Sequence, residues 1–328
     1  MPPFERADNS SQIVSFVLAA YGDLGNLRYL YSPIIIFSYL VIICVNVLLI
    51  TTICTERSLH EPMYLFLCSL FVNELYGSTA FFPCLISQMF SDTHEISFAH
   101  CFLQIFCLYT YANVEYWNLA AMAYDRYVSI CHPLQYHVIM SSGRVCGIIL
   151  LVWLCPFIQF TITYCLTVRL RFCGNFIDKV YCDLHLVSRL ACSVSNVDDI
   201  YILVVGVASI TVPLIPISFS YLKIVAVCLR SSRETRLKAV RTCSPHVVSL
   251  VNLSFGFLFE IIQAGSPVTH VPAALHIVLS VYLMVVQPLL NPVLYGLSLS
   301  KIRNVCVNLL LRRPKFLWKN LDKLDVAW

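Results

Sequence analysis

The chain has 328 residues, of which 59% are hydrophobic and only 12% are charged, and its formal net charge at pH 7 is +4. Ordinary soluble domains carry about 25% charged residues, so this chain has too few polar side chains to cover a globule that faces water. The composition excludes an ordinary soluble domain and favours an integral membrane protein. The small positive charge gives no reason to expect a nucleic-acid partner.

Seven apolar stretches are each long enough to cross a bilayer, which takes about 20 helical residues. The first, "YSPIIIFSYLVIICVNVLLITTIC", contains no charged residue. The residues before it lack the basic segment, apolar core and cleavage site of a signal peptide, so we expect the first span to remain as an anchor. The seven predicted spans are residues 31–54, 62–86, 98–126, 145–167, 199–227, 239–262 and 271–296.

The distribution of lysine and arginine predicts how the spans are oriented. If the N-terminus lies outside, the inner segments and the adjoining helix ends hold 16 of the 22 basic residues. Positive charge stays in the cytoplasm, so the bias predicts an outer N-terminus and an inner C-terminus. We therefore expect an outer tail over residues 1–30, a membrane domain over 31–297 and an inner tail over 298–328.

Four of the 16 cysteines are expected on the outer face, namely Cys101, Cys173, Cys182 and Cys192. That face is oxidising, which favours disulfides, but four cysteines allow three pairings and their spacing does not choose among them. The outer tail also contains the sequon Asn9-Ser10-Ser11, an acceptor for glycosylation. Most of the other cysteines lie within spans, where we expect them to pack as small apolar residues.

Long motifs occur at five places along the chain: "LHEPMYLFL" (59–67), "MAYDRYVSICHPLQY" (122–136), "SYLKI" (220–224), "KAVRTCSPH" (238–246) and "PLLNPVLYGL" (288–297). In this order they resemble the odorant receptors, a family of rhodopsin-like (class A) G-protein-coupled receptors. The resemblance covers almost the whole chain. It implies an all-α integral membrane fold, a seven-transmembrane helix bundle that lies in the plasma membrane with its N-terminus outside and its C-terminus inside.

The same resemblance implies a chemosensory receptor. It would bind a small odorant molecule in the outer half of the bundle and activate a heterotrimeric G protein of the stimulatory type, which raises cyclic AMP. A transporter or channel is the first alternative, but the chain shows no inverted repeat and no pair of broken helices. A membrane enzyme is the second, but no nucleophile–base pair, HExxH motif or metal-spaced cluster stands out.

The chain departs from the family pattern at three positions. Helix one has Val45-Asn46 where Gly-Asn is usual, and helix two has Glu74 where Asp is usual. Helix six has Ser254-Phe255-Gly256 in place of Phe-Tyr-Gly, so the usual tyrosine is absent or displaced to a neighbouring aromatic residue. The resemblance also implies two disulfides, Cys101–Cys182 and Cys173–Cys192.

Asp125 and Arg126 follow a long run that contains almost no charge and mark the place where a helix reaches water. On residue type alone, an arginine at an inner boundary can simply anchor the helix by snorkelling. The resemblance implies a switch instead, in which Arg126 pairs with Asp125 at rest and faces the G protein when the bundle opens. It places Tyr127, Tyr221 and Tyr295 in the same switch.

Two carboxylates lie within the predicted spans. Glu115 precedes Arg126 by eleven residues, about three helical turns, so both lie on one face of their helix. The resemblance places Glu74 opposite, with Asn291 nearby, in a region that binds sodium in similar receptors. Two buried carboxylates close together need a cation or a shared proton, and the alternative is that each is hydrogen-bonded separately. No other cofactor is expected.

A ligand pocket is implied in the outer half of the bundle. Tyr109, Ala112, Asn113 and Tyr116 recur at i, i+3, i+4 and i+7 and form one helical stripe. Such a stripe often serves packing alone, but the resemblance assigns it to the pocket. It adds Val205, Gly206, Ser209, Phe257, Leu258, Ile261 and Val281.

The expected ligand is a small, semi-polar molecule, because the implied pocket is mostly apolar with a few polar groups. Receptors for amine transmitters hold an Asp where this chain has Leu108, so that amine clamp is absent. Glu260 and His276 could still meet a charged ligand.

Overall fold

Seven long helices account for most of the computed structural model, which describes residues 14–25, 27–193, 196–265, 273–299 and 301–305. They are α1 (Leu27–Thr55), α2 (Pro62–Phe90), α3 (Phe98–Cys131), α4 (Ser142–Thr167), α5 (Asn196–Leu229), α6 (Arg233–Gly265) and α7 (Ala273–Ser298). Each overlaps one predicted span, and most continue further because a helix need not end at the bilayer surface. Asn9 and most of the predicted inner tail lie outside the described residues.

Six of these helices are long and apolar enough to cross a membrane, counted over the described part of the chain, and α3 is not among them. Its apolar pattern is interrupted by polar residues that are buried inside the protein: Gln104, Thr110, Asn113, Glu115 and Asn118. The helix packs against α2, α4, α5 and α6. Because α3 is surrounded by other helices, its polar groups meet protein rather than lipid, and the chain forms a seven-transmembrane helix bundle.

The surface of the bundle is apolar. Large side chains such as Phe37, Leu151 and Ile215 are exposed along α1, α4 and α5. A soluble protein rarely exposes so much contiguous apolar surface, whereas hydrocarbon chains solvate it well. This surface is therefore the lipid-facing side of a multi-pass membrane protein.

A three-stranded sheet closes one end of the bundle, which we call the capped end. The strands are β1 (Ser15–Leu18), β2 (Glu95–Ser97) and β3 (Phe176–Ile177), in the order β2-β1-β3. β1 pairs antiparallel with β2 and parallel with β3. The sheet therefore joins the segment before α1 to the α2–α3 and α4–α5 connections, a pairing that the sequence patterns did not predict.

Two disulfides fix the α4–α5 connection at the capped end. Cys101, at the start of α3, is bonded to Cys182 with an Sγ–Sγ distance of 2.06 Å. Cys173 is bonded to Cys192 within the connection at 2.02 Å. This is the pairing that the resemblance implies, and it holds residues 173–192 over the ends of the helices.

Candidate functional site

Asp125 and Arg126 form an ion pair near the end of α3 that is opposite the cap. The Arg126 Nη2 atom lies 2.5 Å from Asp125 Oδ2, and Nε donates to the same oxygen at 3.1 Å. Asp125 is fully buried, and its other oxygen accepts a hydrogen bond from the Tyr136 hydroxyl at 2.7 Å. The expected resting pair is thus present, and Tyr136, which sequence reasoning missed, is its second anchor.

His246 connects three helices beside this pair. Its Nε2 atom lies 2.8 Å from the carbonyl oxygen of Leu119 on α3, and its Nδ1 atom lies 2.5 Å from the Tyr221 hydroxyl on α5. A carbonyl oxygen only accepts, so Nε2 carries a proton, and in the neutral ring Nδ1 accepts from Tyr221. One histidine on α6 therefore holds α3 and α5 together.

The other two switch residues lie in the same half of the bundle. The Tyr127 hydroxyl lies 3.1 Å from His132 Nε2, and the Tyr295 side chain on α7 is fully buried. Of the predicted switch residues, only Asp125 and Arg126 bond each other directly in the described network.

The buried carboxylates of Glu74 and Glu115 share one partner. The Asn291 amide on α7 donates to Glu74 Oε1 and to Glu115 Oε1, the latter at 2.7 Å. Three further side chains donate to the two acids: Tyr111 to Glu74 at 2.8 Å, and Asn73 and Gln287 to Glu115 at 3.0 and 3.1 Å. The expected proximity of the two acids is therefore present, within a network that joins α2, α3 and α7.

This network offers oxygen atoms but few charged ones. Among the described residues, no group of three or more His, Cys, Asp or Glu side chains could hold a metal ion. Any cation here would depend on two carboxylates and on neutral oxygens, such as the side-chain Oδ1 atom of Asn73, which is buried and has no hydrogen-bond partner in the part of the chain that the structure describes. Such a donor set suits a weakly held, hard monovalent ion better than a transition metal.

A cavity of about 1010 Å³ lies between the helices beneath the α4–α5 connection. Its walls include most of the predicted pocket residues: Tyr109, Ala112, Asn113, Tyr116, Val205, Gly206, Ser209 and Phe257. The structure thus brings residues from α3, α5 and α6 to one space, and Leu108 joins them there.

Two predicted pocket residues do not line this cavity. Leu258 is 56% exposed, because it follows Phe257 by one position and so points about 100° away around α6. Val281 is partly buried against neighbouring helices and is not among the cavity walls. The side chains of Ile261 and His276 lie outside the described residues.

The polar groups on the cavity wall differ in how far they are satisfied. The Ser209 hydroxyl accepts from Gln159 at 2.6 Å and donates to the Val205 carbonyl at 2.7 Å, so it is already paired. The Asn113 amide nitrogen donates weakly to the Tyr109 carbonyl at 3.4 Å, but its Oδ1 atom has no partner among the described residues. Asn113 Oδ1 is therefore one of three polar atoms of cavity-lining residues without a partner among the described residues, together with the Tyr116 hydroxyl and His185 Nε2.

A charged cluster forms the roof of the cavity. The Lys179 ammonium donates to Asp183 Oδ2 at 3.1 Å, to Glu260 Oε2 at 2.5 Å and to the Tyr181 hydroxyl at 3.1 Å. Tyr109 donates to the same Asp183 oxygen at 3.5 Å. Glu260 is on α6 and the other charged members lie in the α4–α5 connection, so the cluster joins the cap to α6.

The loop members of this cluster keep their charges. Burial lowers the pKa of Lys179, but Tyr181, Asp183 and Glu260 outweigh it and raise that pKa above its ordinary value. Burial raises the pKa of Asp183, but Lys179 and the Leu186 backbone N–H outweigh it, so the net shift is downward. Both groups are therefore ionised at neutral pH.

Lys179 and Asp183 were not singled out by sequence reasoning. Charged residues in a loop follow no period that would reveal their direction. Their adjacency to Cys182 is a usable signal, because the disulfide to Cys101 fixes this part of the loop against α3.

Comparisons with known proteins agree with these features. A family model described as olfactory receptor matches residues 35–313. Olfactory receptor 11A1 of Homo sapiens is 36% identical over 292 residues, which cover 88% of this chain and 91% of that protein. Olfactory receptor 1E16 of Mus musculus is 31% identical over a region that covers 93% of this chain and 97% of that protein. Olfactory receptor 1500 of Rattus norvegicus is also 31% identical, over 92% of this chain and 97% of that protein.

Proposed function

This chain belongs to the olfactory receptor family of G-protein-coupled receptors, and on that premise we propose that it binds a small molecule in the cavity beneath the α4–α5 connection and activates a stimulatory G protein. It is a multi-pass protein of the plasma membrane, and its family is not enzymatic. The proposal adds the place of binding, the type of G protein and an orientation with the capped end outside.

The cavity is the observation that carries the proposal. It is large enough for a small organic molecule, its walls are mostly apolar, and a few polar groups converge on it. It is also bounded by α6, since Phe257 forms part of its wall and packs directly against Tyr116 with 5.2 Å between ring centroids. A molecule in this space therefore contacts the helix whose other half carries His246.

That shared helix supplies a physical route to the opposite end. A ligand that displaces α6 would pull His246 from the Leu119 carbonyl and from Tyr221. Separation of α6 from α3 would open a groove next to Arg126, whose pairing with Asp125 then competes with contacts to a G protein. A ligand works in this way only to the extent that it binds the open state more tightly than the closed one.

The capped end carries the features of an extracellular face. Its two disulfides belong in an oxidising compartment. The excess of lysine and arginine falls in the connections of the other end and in the sequence after α7. These two independent features support the same orientation.

For the buried network around Asn291 we propose that Glu74 and Glu115 bind a sodium ion or share one proton. The two carboxylates are fully buried and accept from a common amide, that of Asn291. Two ionised carboxylates this close together and away from water repel each other, so a cation or a proton must neutralise part of their charge. Because the network joins α2, α3 and α7, its occupancy would bias how these helices pack.

The function is tested in cells that express the chain together with a cyclic-AMP reporter. A chemically diverse panel of small molecules is applied, and ion flux is recorded in parallel. We expect at least one compound to raise cyclic AMP in these cells and not in cells with Arg126→Ala at a matched surface level. An ion current without a change in cyclic AMP would contradict the proposal and favour a channel.

A further inference from the structure

We propose that the roof of the cavity is a cation site and that the ligands of this receptor include amines, whose ammonium group binds between Glu260 and Asp183. The inference rests on the proposed function, because it takes the cavity as the ligand site. It goes beyond it by assigning a chemical class of ligand and two residues that select that class.

Both carboxylates can reach a single cation. Each lies within hydrogen-bond distance of the same Lys179 Nζ atom, and each lines the cavity. Lys179 itself is buried and is not part of the cavity wall. The Lys179 ammonium thus holds the two carboxylates in position from outside the cavity, while Asp183 and Glu260 themselves form part of the cavity wall.

The hydrogen-bonding capacity of the cluster favours a donor as its guest. An ammonium group has three protons, and those of Lys179 go to Asp183, Glu260 and Tyr181. A ligand carboxylate could gain a bond from Lys179 only by displacing one of these partners. The two acids, by contrast, accept several bonds each, and the Glu260 side chain remains 20% exposed.

Charge balance points in the same direction. Two carboxylates face one ammonium, so the cluster carries an excess negative charge in a region largely removed from water. A second cation would balance the excess negative charge of the cluster, because buried ionic groups are stable only when they are paired. Arg189 also borders the cavity but is exposed, so solvent and salt screen its charge.

Asn113, on the α3 wall of the cavity, gives a separate reason to expect a ligand that donates hydrogen bonds. Its Oδ1 atom is an acceptor without a partner among the described residues, although the side chain is only 6% exposed. A buried acceptor of this kind loses the hydrogen bond that it had in water unless a guest supplies a donor. Asn113 lines the same cavity as the two acids, so a guest that reaches its amide oxygen must donate a hydrogen bond, which matches a ligand with N–H groups and not an anion.

The test compares matched probes on purified receptor in detergent. Cyclohexylmethylamine and cyclohexylmethanol have the same skeleton and differ in charge. We expect the amine to raise the thermal unfolding temperature at concentrations at least tenfold lower than the alcohol. Glu260→Gln should remove that tenfold advantage, whereas Glu95→Gln, the same change at an exposed site on β2, should preserve it.

A second variant gives a change in the opposite direction, which misfolding cannot imitate. Lys179→Gln removes the internal competitor for both acids, so the amine should act at concentrations at least threefold lower than on the wild type. Equal potency of amine and alcohol on the wild type, or an amine advantage that survives Glu260→Gln, would overturn the inference.

The unfolding measurement needs no G protein, so the two proposals fail separately. Stabilisation by the alcohol alone would overturn the cation site and leave the ligand cavity intact. Stabilisation by the amine without any cyclic-AMP response in cells would support the cation site and count against the proposed coupling.

Discussion

The His246 side chain on α6 lies 2.8 Å from the backbone carbonyl oxygen of Leu119 on α3, and this contact crosses the interface that we expect to open on activation. The carbonyl belongs to a helix and is fully buried with its residue. Few groups could replace His246 there, because the same ring must also accept from Tyr221. The contact therefore stabilises the packing of α6 against α3 that the structure shows.

His246→Leu should raise basal cyclic AMP. The change removes two hydrogen bonds, each with a net contribution of about 1 kcal/mol, and 1 kcal/mol shifts a two-state equilibrium about fivefold. We expect at least this rise per receptor at the cell surface, measured with a cyclic-AMP reporter and surface labelling. His137→Leu, an exposed histidine near the same end of the bundle, is the matched control and should leave basal signalling unchanged. A silent His246→Leu at normal surface level would contradict the role.

Arg126→Ala should reach the cell surface at a fair fraction of the normal level and fail to raise cyclic AMP. The bond that Asp125 keeps from Tyr136 offsets part of the cost of leaving this buried carboxylate without its arginine. Arg144→Ala removes another arginine from the same end of the bundle, one that bonds the Ile139 carbonyl, and should signal normally. If Arg126→Ala signals normally as well, the residue is a simple membrane anchor.

Glu74 and Glu115 should behave as one unit in a double-mutant cycle with Gln at both positions. Independent sites give additive effects, whereas residues that share a network show coupling of about 0.5–3 kcal/mol. Thermal unfolding of the four receptors in detergent, with and without sodium, measures that coupling. Additive effects together with no dependence on sodium would show that the acids are separately satisfied.

Asn113→Leu should change which ligands activate the receptor. The new side chain is of similar size but cannot accept a hydrogen bond, so ligands that donate one should lose about tenfold in potency while apolar analogues change little. Ser209→Ala should have the smaller effect, since that hydroxyl is already paired with Gln159 and Val205. Concentration–response curves for matched polar and apolar ligands measure the loss of potency in each variant. A larger loss from Ser209→Ala than from Asn113→Leu would contradict the assignment of Asn113 as the main polar contact of the ligand.

The contribution of the Lys179–Asp183 pair to stability should depend on pH in a defined window. The pKa of Asp183 is lowered by folding, so its contribution is present above its unfolded pKa and is lost as pH falls through the folded value. The pKa of Lys179 is raised, so its contribution is present below its unfolded pKa and is lost as pH rises through the folded value.

Between these limits the difference in unfolding free energy between wild type and Lys179→Gln should be constant, at about 3 kcal/mol for breaking a buried ion pair. It should shrink below about pH 4, where unfolded aspartate gains its proton. Denaturation in detergent at a series of pH values measures it. Because Lys179→Gln also breaks the pair with Glu260, a difference that already changes between pH 6 and pH 8 would show that Glu260 and not Asp183 governs the pH dependence.

The helices could be predicted from sequence because a bilayer demands a long apolar stretch, and such stretches are visible without knowledge of any neighbour. The stripe from Tyr109 to Tyr116 was also predictable, since helical periodicity alone places its members on one face. Leu258 was assigned to the wrong face because nothing in the sequence fixes how α6 is rotated relative to its neighbours. Only the packed bundle determines that rotation.

Other features depend on contacts between distant parts of the chain and left little trace in the sequence. β1 has four residues and β3 has two, which is too short for an alternating pattern to be recognised. Lys179 meets Glu260 only because two disulfides and the sheet fix the loop above α6. The Tyr136–Asp125 bond likewise required the conformation of the connection after α3.

The central position of β1 has a consequence for biosynthesis. This strand leaves the ribosome first, yet its antiparallel partner is β2, around residue 96, and its parallel partner is β3, around residue 176. β1 can pair with β2 once residue 97 has been made, but the β1–β3 pairing must wait until more than half of the chain has been translated. The complete cap is therefore a late structure, because β3 follows α4 and can reach β1 only when the first four helices have been inserted.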